Sequence, residues 1–244
     1  IARGILLLYK IGAGKNAQVV FQNRDDQELF LRNKIINQLQ ANLIQGSGIS
    51  LENFPIAPYP KNKKFIFLMI ARIIKDKGIG EYIEAAKIVL AKFSNIKFQI
   101  LGKIEESAHS DFSKEYIEAL HESGVIEYLG ESDDVKKYIT SADCIVLPSY
   151  REGTSKALLE GHAMGRPLIA SNVSGCKEII LNNQSGLLCK PQDSSDLASQ
   201  MLQIMYKSRS EREQMGILGR EKVKNEFSEE IVFSQMRQLI SKMI

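Results

Sequence analysis

An α/β fold with a parallel sheet covered on both faces is predicted for this 244-residue chain by three observations. From residue 65 onward, short apolar runs alternate with segments of helical spacing, the pattern of strands joined by crossover helices. Residues 65–71 and 144–147 are unbroken apolar runs, as in strands buried on both faces. Six strand-like runs occur from residue 65 onward, which is enough for one doubly wound sheet.

Before residue 65 the pattern is mixed. The apolar stretch Ile5 to Leu8 is too short for the apolar core of a signal peptide. Residues 17–21 read as a strand, 28–39 have helical spacing, and 41–45 read as a second short strand closed by Gly46-Ser47-Gly48. Residues 53–64 hold three of the six prolines and a basic tip of Lys61, Lys63 and Lys64, so they read as a linker or surface loop. The tip suits a solvated loop better than an anionic lipid surface.

The regular region then reads in order. Residues 65–71 are a buried strand, and 79–93 repeat apolar residues at three and four as an amphipathic helix does. Residues 96–101 are a strand ending at Gly102, 112–121 a helix, and 125–129 a short strand. Residues 134–140 make a short helix with Ser132 or Asp133 as N-cap. Residues 144–147 are a buried strand stopped by Pro148, and 155–164 a helix. Strands follow at 167–170 and 186–189, with a helix at 176–181 between them. Helices fill 193–207, 210–225 and 229–243. The last carries Val232, Met236, Leu239, Ile240 and Met243 on one face.

Composition narrows the function. Apolar residues make up 44% of the chain, which argues against disorder. Thirty-two basic against 29 acidic residues leave a net charge of +3, without the dense basic stripe of a nucleic-acid binder. Cys144, Cys176 and Cys189 form no CxxC pair, so neither a disulfide framework nor a zinc site is expected and a reducing, cytoplasmic setting fits. His109, His121 and His162 lie in separate segments and make no metal-ligand pair. No apolar run reaches the ~18 residues of a membrane span. Internal repeats and low-complexity tracts are absent from the sequence.

Gly12-Ala13-Gly14-Lys15-Asn16-Ala17 satisfies the dinucleotide pattern G-x-G-x-x-G/A. We read it as a plain loop. The segment after it prefers strand to helix, and residues 33–39 lack the acidic residue that would hold a ribose. No G-K-[ST] ends it, so it is not a Walker loop either.

The informative stretch runs from Pro148 to Gly165, following a buried strand and opening a helix. In a doubly wound sheet, ligands bind beyond the carboxyl ends of the strands. Gly153 lets backbone approach a ligand, and free N–H groups near Thr154 and Ser155 suit an anion such as a diphosphate. Glu152 and Glu160 bracket this feature with seven residues between them. Carboxylates beside an anion site are costly unless they accept hydrogen bonds, and sugar and ribose hydroxyls are the obvious donors. Arg72 and Lys77 fall at the same sheet edge, where cations neutralise a departing diphosphate without a metal. Taken singly, each has a plainer reading. Arg72 and Lys77 could be surface ion-pair partners, Glu160 could pair with Lys156 one turn back, and His162 reads as a helix-face histidine. Cys144 and Cys176 read as core or loop thiols, and Gly175 as a loop glycine.

Together, Arg72 to Gly78 (R-I-I-K-D-K-G), Leu101-Gly102, Tyr128-Leu129-Gly130 and Glu152-Gly-Thr…Glu160 resemble the retaining glycosyltransferases of family 4, in order and spacing across residues 65–190. F-Q-N at 21–23, the 143–153 stretch and G-C-K-E at 175–178 look like bacterial enzymes of surface-polysaccharide assembly. The resemblance implies a GT-B fold of two facing Rossmann-like domains. It divides this chain into a remnant of the N-terminal acceptor domain (1–54), a nucleotide-sugar donor-binding domain (55–227) and a C-terminal helix crossing back toward the N-terminal domain (228–244).

It also implies roles. Arg72 and Lys77 would hold the donor's diphosphate, and Glu152 would contact the sugar hydroxyls. Gly153, Thr154 and Ser155 would line the phosphate or sugar, and Glu160 would bind the ribose hydroxyls. Gly102 and the Tyr128–Leu129 loop would lie beside the base. The reaction would move a hexose or N-acetylhexosamine from a UDP-sugar to a lipid-linked or saccharide acceptor with retention, needing no cofactor and no metal. Any contact with the inner membrane would run through the acceptor domain, which this chain mostly lacks. Alternatives are a truncated, non-catalytic nucleotide-sugar-binding module and a nucleotide-sugar epimerase. The chain departs from the family at Ser155, where Pro or Gly is common, and at Gly161-His162. Glycine inside a helix costs about 1 kcal/mol relative to alanine.

Overall fold

Residues 65–189 build the sheet that positions everything else. A computed structural model describes residues 2–14, 17–105 and 111–243; Ile1, Lys15, Asn16 and His109 lie outside the described residues. Six parallel strands are β3 (Phe65–Ile70), β4 (Ile96–Leu101), β5 (Glu127–Tyr128), β6 (Cys144–Leu147), β7 (Leu168–Ser171) and β8 (Gly186–Cys189). Their order across the sheet is β5-β4-β3-β6-β7-β8. Strand order therefore reverses between β3 and β6, which pair in parallel with Phe67 opposite Cys144 and Leu68 opposite Ile145. Helices α3 (Ile79–Leu90), α4 (Lys114–Glu122), α5 (Lys136–Ser141), α6 (Lys156–Ala163), α7 (Ser194–Tyr206) and α8 (Arg209–Glu226) cover it. Phe67, Leu68 and Met69 of β3 are buried from both sides, which is why that strand reads as an unbroken apolar run.

The first 48 residues form a smaller unit. Helix α1 (Ala2–Gly12), β1 (Val19–Phe21), α2 (Arg24–Arg32) and β2 (Ala41–Leu43) pack around Phe21, Ile35 and Ile36, with β1 and β2 parallel. Ile49, Leu51 and Phe54 already join the large core, so it begins ahead of residue 55. The Ile49 N–H donates to the Phe227 carbonyl at 3.0 Å and its carbonyl accepts from Glu229 at 3.2 Å. That pairing sets the start of α9 (Glu229–Ser241) against the same segment. On α9, Val232 is buried while Ile240 and Met243 stay exposed.

Several local expectations are corrected. A helix forms at Ala2–Gly12, where the sequence suggested only an apolar stretch. It precedes Gly14 instead of following it, and among the described residues the segment after the glycine pattern is strand β1, not a helix. Residues 28–39 are not one helix: α2 starts at Arg24, capped by Asn23, and ends before Lys34, whose φ of 52° breaks it. Helix α5 carries no side-chain cap; Ser132 accepts instead from the Asp134 N–H, closing a turn ahead of it. Residues 176–181 make turns rather than a helix, with Cys176 and Lys177 both donating to the Val173 carbonyl. Only Glu127–Tyr128 of the expected 125–129 strand pairs with β4.

Gly161 and His162 find their reasons in packing. A Cβ on Gly161 would meet Ile145 and Leu168 side chains at 2.9 Å, so the glycine lets α6 lie on β6 and β7. Gly219 of α8 leaves room for the His162 ring, whose Nδ1 a Cβ would approach to 2.2 Å. The His162 ring is fully buried, with Nδ1 3.0 Å from the Arg166 carbonyl. Burial lowers its pKa from 6.5 to about 4. The unfolded chain therefore binds this proton first. Stability is undiminished above about pH 6.5, falls as pH drops below it, and the full loss is reached only below about 4. The gap corresponds to about 3 kcal/mol. Urea unfolding between pH 7 and 4 should show a shallower acid slope for His162→Gln than for wild type; parallel slopes would refute the assignment.

Candidate functional site

A cleft of about 670 Å³ opens at the carboxyl ends of β3 and β6, the point where strand order reverses. Arg72, Lys77, Glu152, Thr154, Ser155 and Glu160 all line it. Phe54, Ile70, Val135 and Leu147 supply apolar wall, and Ser132 and Asp133 polar rim. A second hollow of about 550 Å³ lies at the other end of the sheet, around Tyr59–Phe65 and Lys92–Ile96; no candidate residue lines it.

Backbone geometry brings Lys77 to Glu152. A 3₁₀ turn over Lys75–Lys77 ends at Gly78, whose φ is 76°. A Cβ on Gly78 would sit 2.1 Å from the Pro148 carbonyl oxygen, so only glycine lets this turn lie against the end of β6. The Asp76 carbonyl accepts from the Tyr150 N–H at 2.8 Å and the Ser149 hydroxyl at 3.0 Å. These contacts clamp turn and loop together, and Lys77 Nζ donates to Glu152 Oε1 at 2.6 Å. The side chains are 21% and 11% exposed, so the pair is shielded yet reachable from the cleft.

Arg72 is looser. Its side chain is 62% exposed and lies 3.5 Å from Glu105. Glu160 is nearly buried on α6, with Lys156 Nζ 3.6 Å away. Burial pushes its carboxyl pKa up, and the Lys156 charge opposes that. A carboxylate so poorly solvated is a strong acceptor for ligand hydroxyls.

The expected phosphate-facing N–H groups need revision. The Ser155 N–H is not free: it donates to the Gly175 carbonyl at 3.0 Å, while its side chain caps α6 by accepting from Leu158. That cap is what serine does where the family often has Pro or Gly. Gly153 lies behind the cleft, where a Cβ would stand 2.6 Å from Gln22 Oε1. The Thr154 hydroxyl donates to the Gln22 carbonyl at 3.2 Å.

Of the remaining expected residues, Tyr128 lines a neighbouring hollow of about 450 Å³ with Lys103, Ile104, Glu105, Lys114 and Glu131, and Gly102 and Leu129 line neither hollow. The Arg72–Glu105 pair stands between the two hollows. Gly102 packs too close to β3 for any side chain, since a Cβ would lie 1.8 Å from the Ala71 oxygen. Its carbonyl accepts from the Tyr128 hydroxyl at 3.1 Å, and the Leu129 N–H is used by the Ile100 carbonyl. Leu129 and Gly102 therefore shape this edge through backbone. The Phe54 wall and the Ser132–Asp133 rim are not evident in the sequence, because Phe54 reads as part of a proline-rich loop and Ser132 and Asp133 read as helix caps. Gly175, read as a loop glycine, has a φ of 79° and backs directly onto the Glu152 and Gly153 carbonyls.

A doubly wound sheet with its cleft where strand order reverses is common to many α/β enzymes, and the solved structures that share this chain's fold are GT-B glycosyltransferases. A glycosyltransferase from Rickettsia africae superposes with a TM-score of 0.83 at 22% identity, over 96% of this chain and 66% of that one. The Anabaena protein HepE, solved with UDP and glucose, gives 0.78 at 14% identity over 97% and 67%. The chain belongs to the glycosyl transferases group 1 family, whose profile matches residues 50–222. It is 33% identical over 206 residues to the N,N'-diacetylbacillosaminyl-diphospho-undecaprenol alpha-1,3-N-acetylgalactosaminyltransferase of Campylobacter jejuni, covering 80% of this chain and 52% of that protein. It is 29% identical over 201 residues to the capsular polysaccharide biosynthesis glycosyltransferase CapM of Staphylococcus aureus, covering 79% and 52%. The chain thus spans about half the length of the curated relatives it matches. Among the described residues, no helix is long and apolar enough to cross a membrane.

Proposed function

We propose that this chain is the C-terminal, donor-binding part of a retaining family 4 glycosyltransferase. The observation that carries the reading is one cleft holding a shielded Lys77–Glu152 pair with the buried carboxylate Glu160 on its wall. Cations suit a diphosphate, and desolvated carboxylates suit sugar and ribose hydroxyls. Arg72 and Lys77 stabilise the departing diphosphate, Glu152 orients the sugar, and Glu160 holds the ribose. Tyr128, Gly102 and Leu129 border the base. Thr154 and Gly153 shape the sugar end, and Ser155 holds the first turn of α6.

The donor is a UDP-sugar carrying a hexose or N-acetylhexosamine, and the acceptor a lipid-linked or free saccharide at the cytoplasmic face. The name of the Campylobacter relative supports the N-acetylhexosamine and the lipid-linked acceptor, and the UDP in the Anabaena structure supports the nucleotide. Calorimetric titration with UDP, UDP-sugars, GDP and ADP tests the reading. Selective, millimolar-or-tighter binding of uridine nucleotides is expected, with loss in Glu160→Ala. Equal or absent binding of all four classes would overturn it. Binding without transfer to an undecaprenyl-diphosphate sugar would assign a binding module, and conversion of UDP-N-acetylglucosamine without acceptor an epimerase.

A further inference from the structure

Asn23 lies in the small N-terminal unit, yet it is 1% exposed and reaches the loop that carries Glu152. Its amide Nδ2 is 3.3 Å from both the Glu152 and Gly153 carbonyl oxygens and 3.0 Å from Asp26 Oδ2. Its Oδ1 accepts from the Asp26 N–H at 2.8 Å, capping α2. On the other side of the same carbonyls stands Gly175, where a Cβ would come within 2.5 Å of the Glu152 oxygen. The Glu152 N–H donates to the Ser174 carbonyl at 3.3 Å. Two successive peptide groups are thus fixed from three directions, and the Glu152 side chain meets Lys77. Around this point Arg151 pairs with Asp26, and Lys177 stands 3.5 Å from Asp25.

We propose that Asn23 is a positioning residue for the donor sugar: by holding the Glu152–Gly153 peptides it aims the Glu152 carboxylate. The loop needs such a hold, because Gly153 adds backbone freedom next to the one carboxylate whose direction matters. The proposal rests on the reading of Glu152 as the sugar-contacting group.

The test is calorimetry on the 244-residue chain with UDP, UDP-glucose and UDP-N-acetylglucosamine. Asn23→Ser keeps a good helix cap but is too short to reach both carbonyls. Asn23→Asp keeps cap and shape while removing the amide donor, and serves if the serine variant folds poorly. Each variant is expected to shift the ratio of UDP-sugar to UDP affinity at least fivefold against the sugar, with circular dichroism unchanged. In a Glu152→Ala background, Asn23→Ser should shift that ratio less than twofold, since a positioning residue acts through what it positions. An unchanged ratio in both variants overturns the proposal, as does a matching fall for UDP and UDP-sugar that tracks melting temperature. If wild type binds no uridine nucleotide, the donor-site reading fails first and the role of Asn23 with it. If wild type binds and Glu152→Ala leaves the ratio unchanged, the role of Glu152 is what fails.

Discussion

Lys77→Ala is expected to weaken UDP-sugar binding by about 10- to 100-fold, while the chain stays folded. The estimate follows from one charge-assisted hydrogen bond to a diphosphate oxygen, about 1.5–3 kcal/mol. The free protein has Lys77 paired with Glu152 at 2.6 Å, so an arriving diphosphate competes with that carboxylate. Removing the lysine leaves Glu152 facing the incoming anion uncompensated, which adds repulsion to the lost contact. Arg72→Ala should cost less, because its side chain is mostly exposed and, among the described residues, pairs with Glu105 at 3.5 Å. The double variant should bind no donor at accessible concentrations. Titration calorimetry decides the order, and wild-type affinity in the double variant would sink the diphosphate assignment. In the whole enzyme, the same change should lower kcat by about 10²–10³ if the contact strengthens as charge develops on the leaving group.

Arg166→Leu is expected to be the most destabilising single change in the chain. Arg166 is fully buried, and no carboxylate pairs with it among the described residues. Its guanidinium donates instead to carbonyl oxygens of Ile139, Ala57, Met164, Pro58 and Thr140 at 2.9–3.2 Å, with Gly165 at 3.4 Å. The Tyr59 ring lies 5.6 Å from it. One side chain thereby ties the linker at 57–58, the end of α5 and the turn between α6 and β7. Leucine would leave several buried carbonyls unpaired at about 1–3 kcal/mol each. The sum rivals the whole stability of a typical domain, about 5–15 kcal/mol. Loss of the cooperative thermal transition, or a fall in Tm of more than about 10 °C, should be seen by circular dichroism. A Tm within 3 °C of wild type would refute this account. Arg166→Lys should fall between, since a point ammonium has three donors and cannot span the same set.

These two residues mark what can be read from sequence and what cannot. Lys77 was legible because chemistry at a sheet edge leaves a linear signature. A cation soon after a strand, two carboxylates with seven residues between them and a proline-stopped strand follow from topology that the apolar runs already imply. The sheet itself was legible for a related reason: strand-like apolar runs that alternate with segments of helical spacing call for parallel strands joined by crossovers. Arg166 was not legible. It sits between a glycine and a proline at a strand start and looks like any basic loop residue. Its partners are backbone carbonyls, which every residue has, so nothing in the pattern of side chains announces them.

The same reason explains the other revisions. Ser155 looked like a donor of a free N–H, but whether that group is free depends on Gly175, twenty residues on. Gly102, Gly153 and Gly175 share one residue type, and only the atoms a Cβ would strike distinguish them. Asn23 read as part of a short polar segment after a strand, and its hold on Glu152 spans 129 positions. The fold class and the grouping of Arg72, Lys77, Glu152 and Glu160 at one edge of the sheet are legible in the chain, because periodicity and local order encode them. Which of those groups are shielded, which backbone donors are already taken and that Asn23 contacts the Glu152 loop emerge only in three dimensions. Burial and hydrogen-bond occupancy are set by neighbours in space, and a linear pattern carries no record of them.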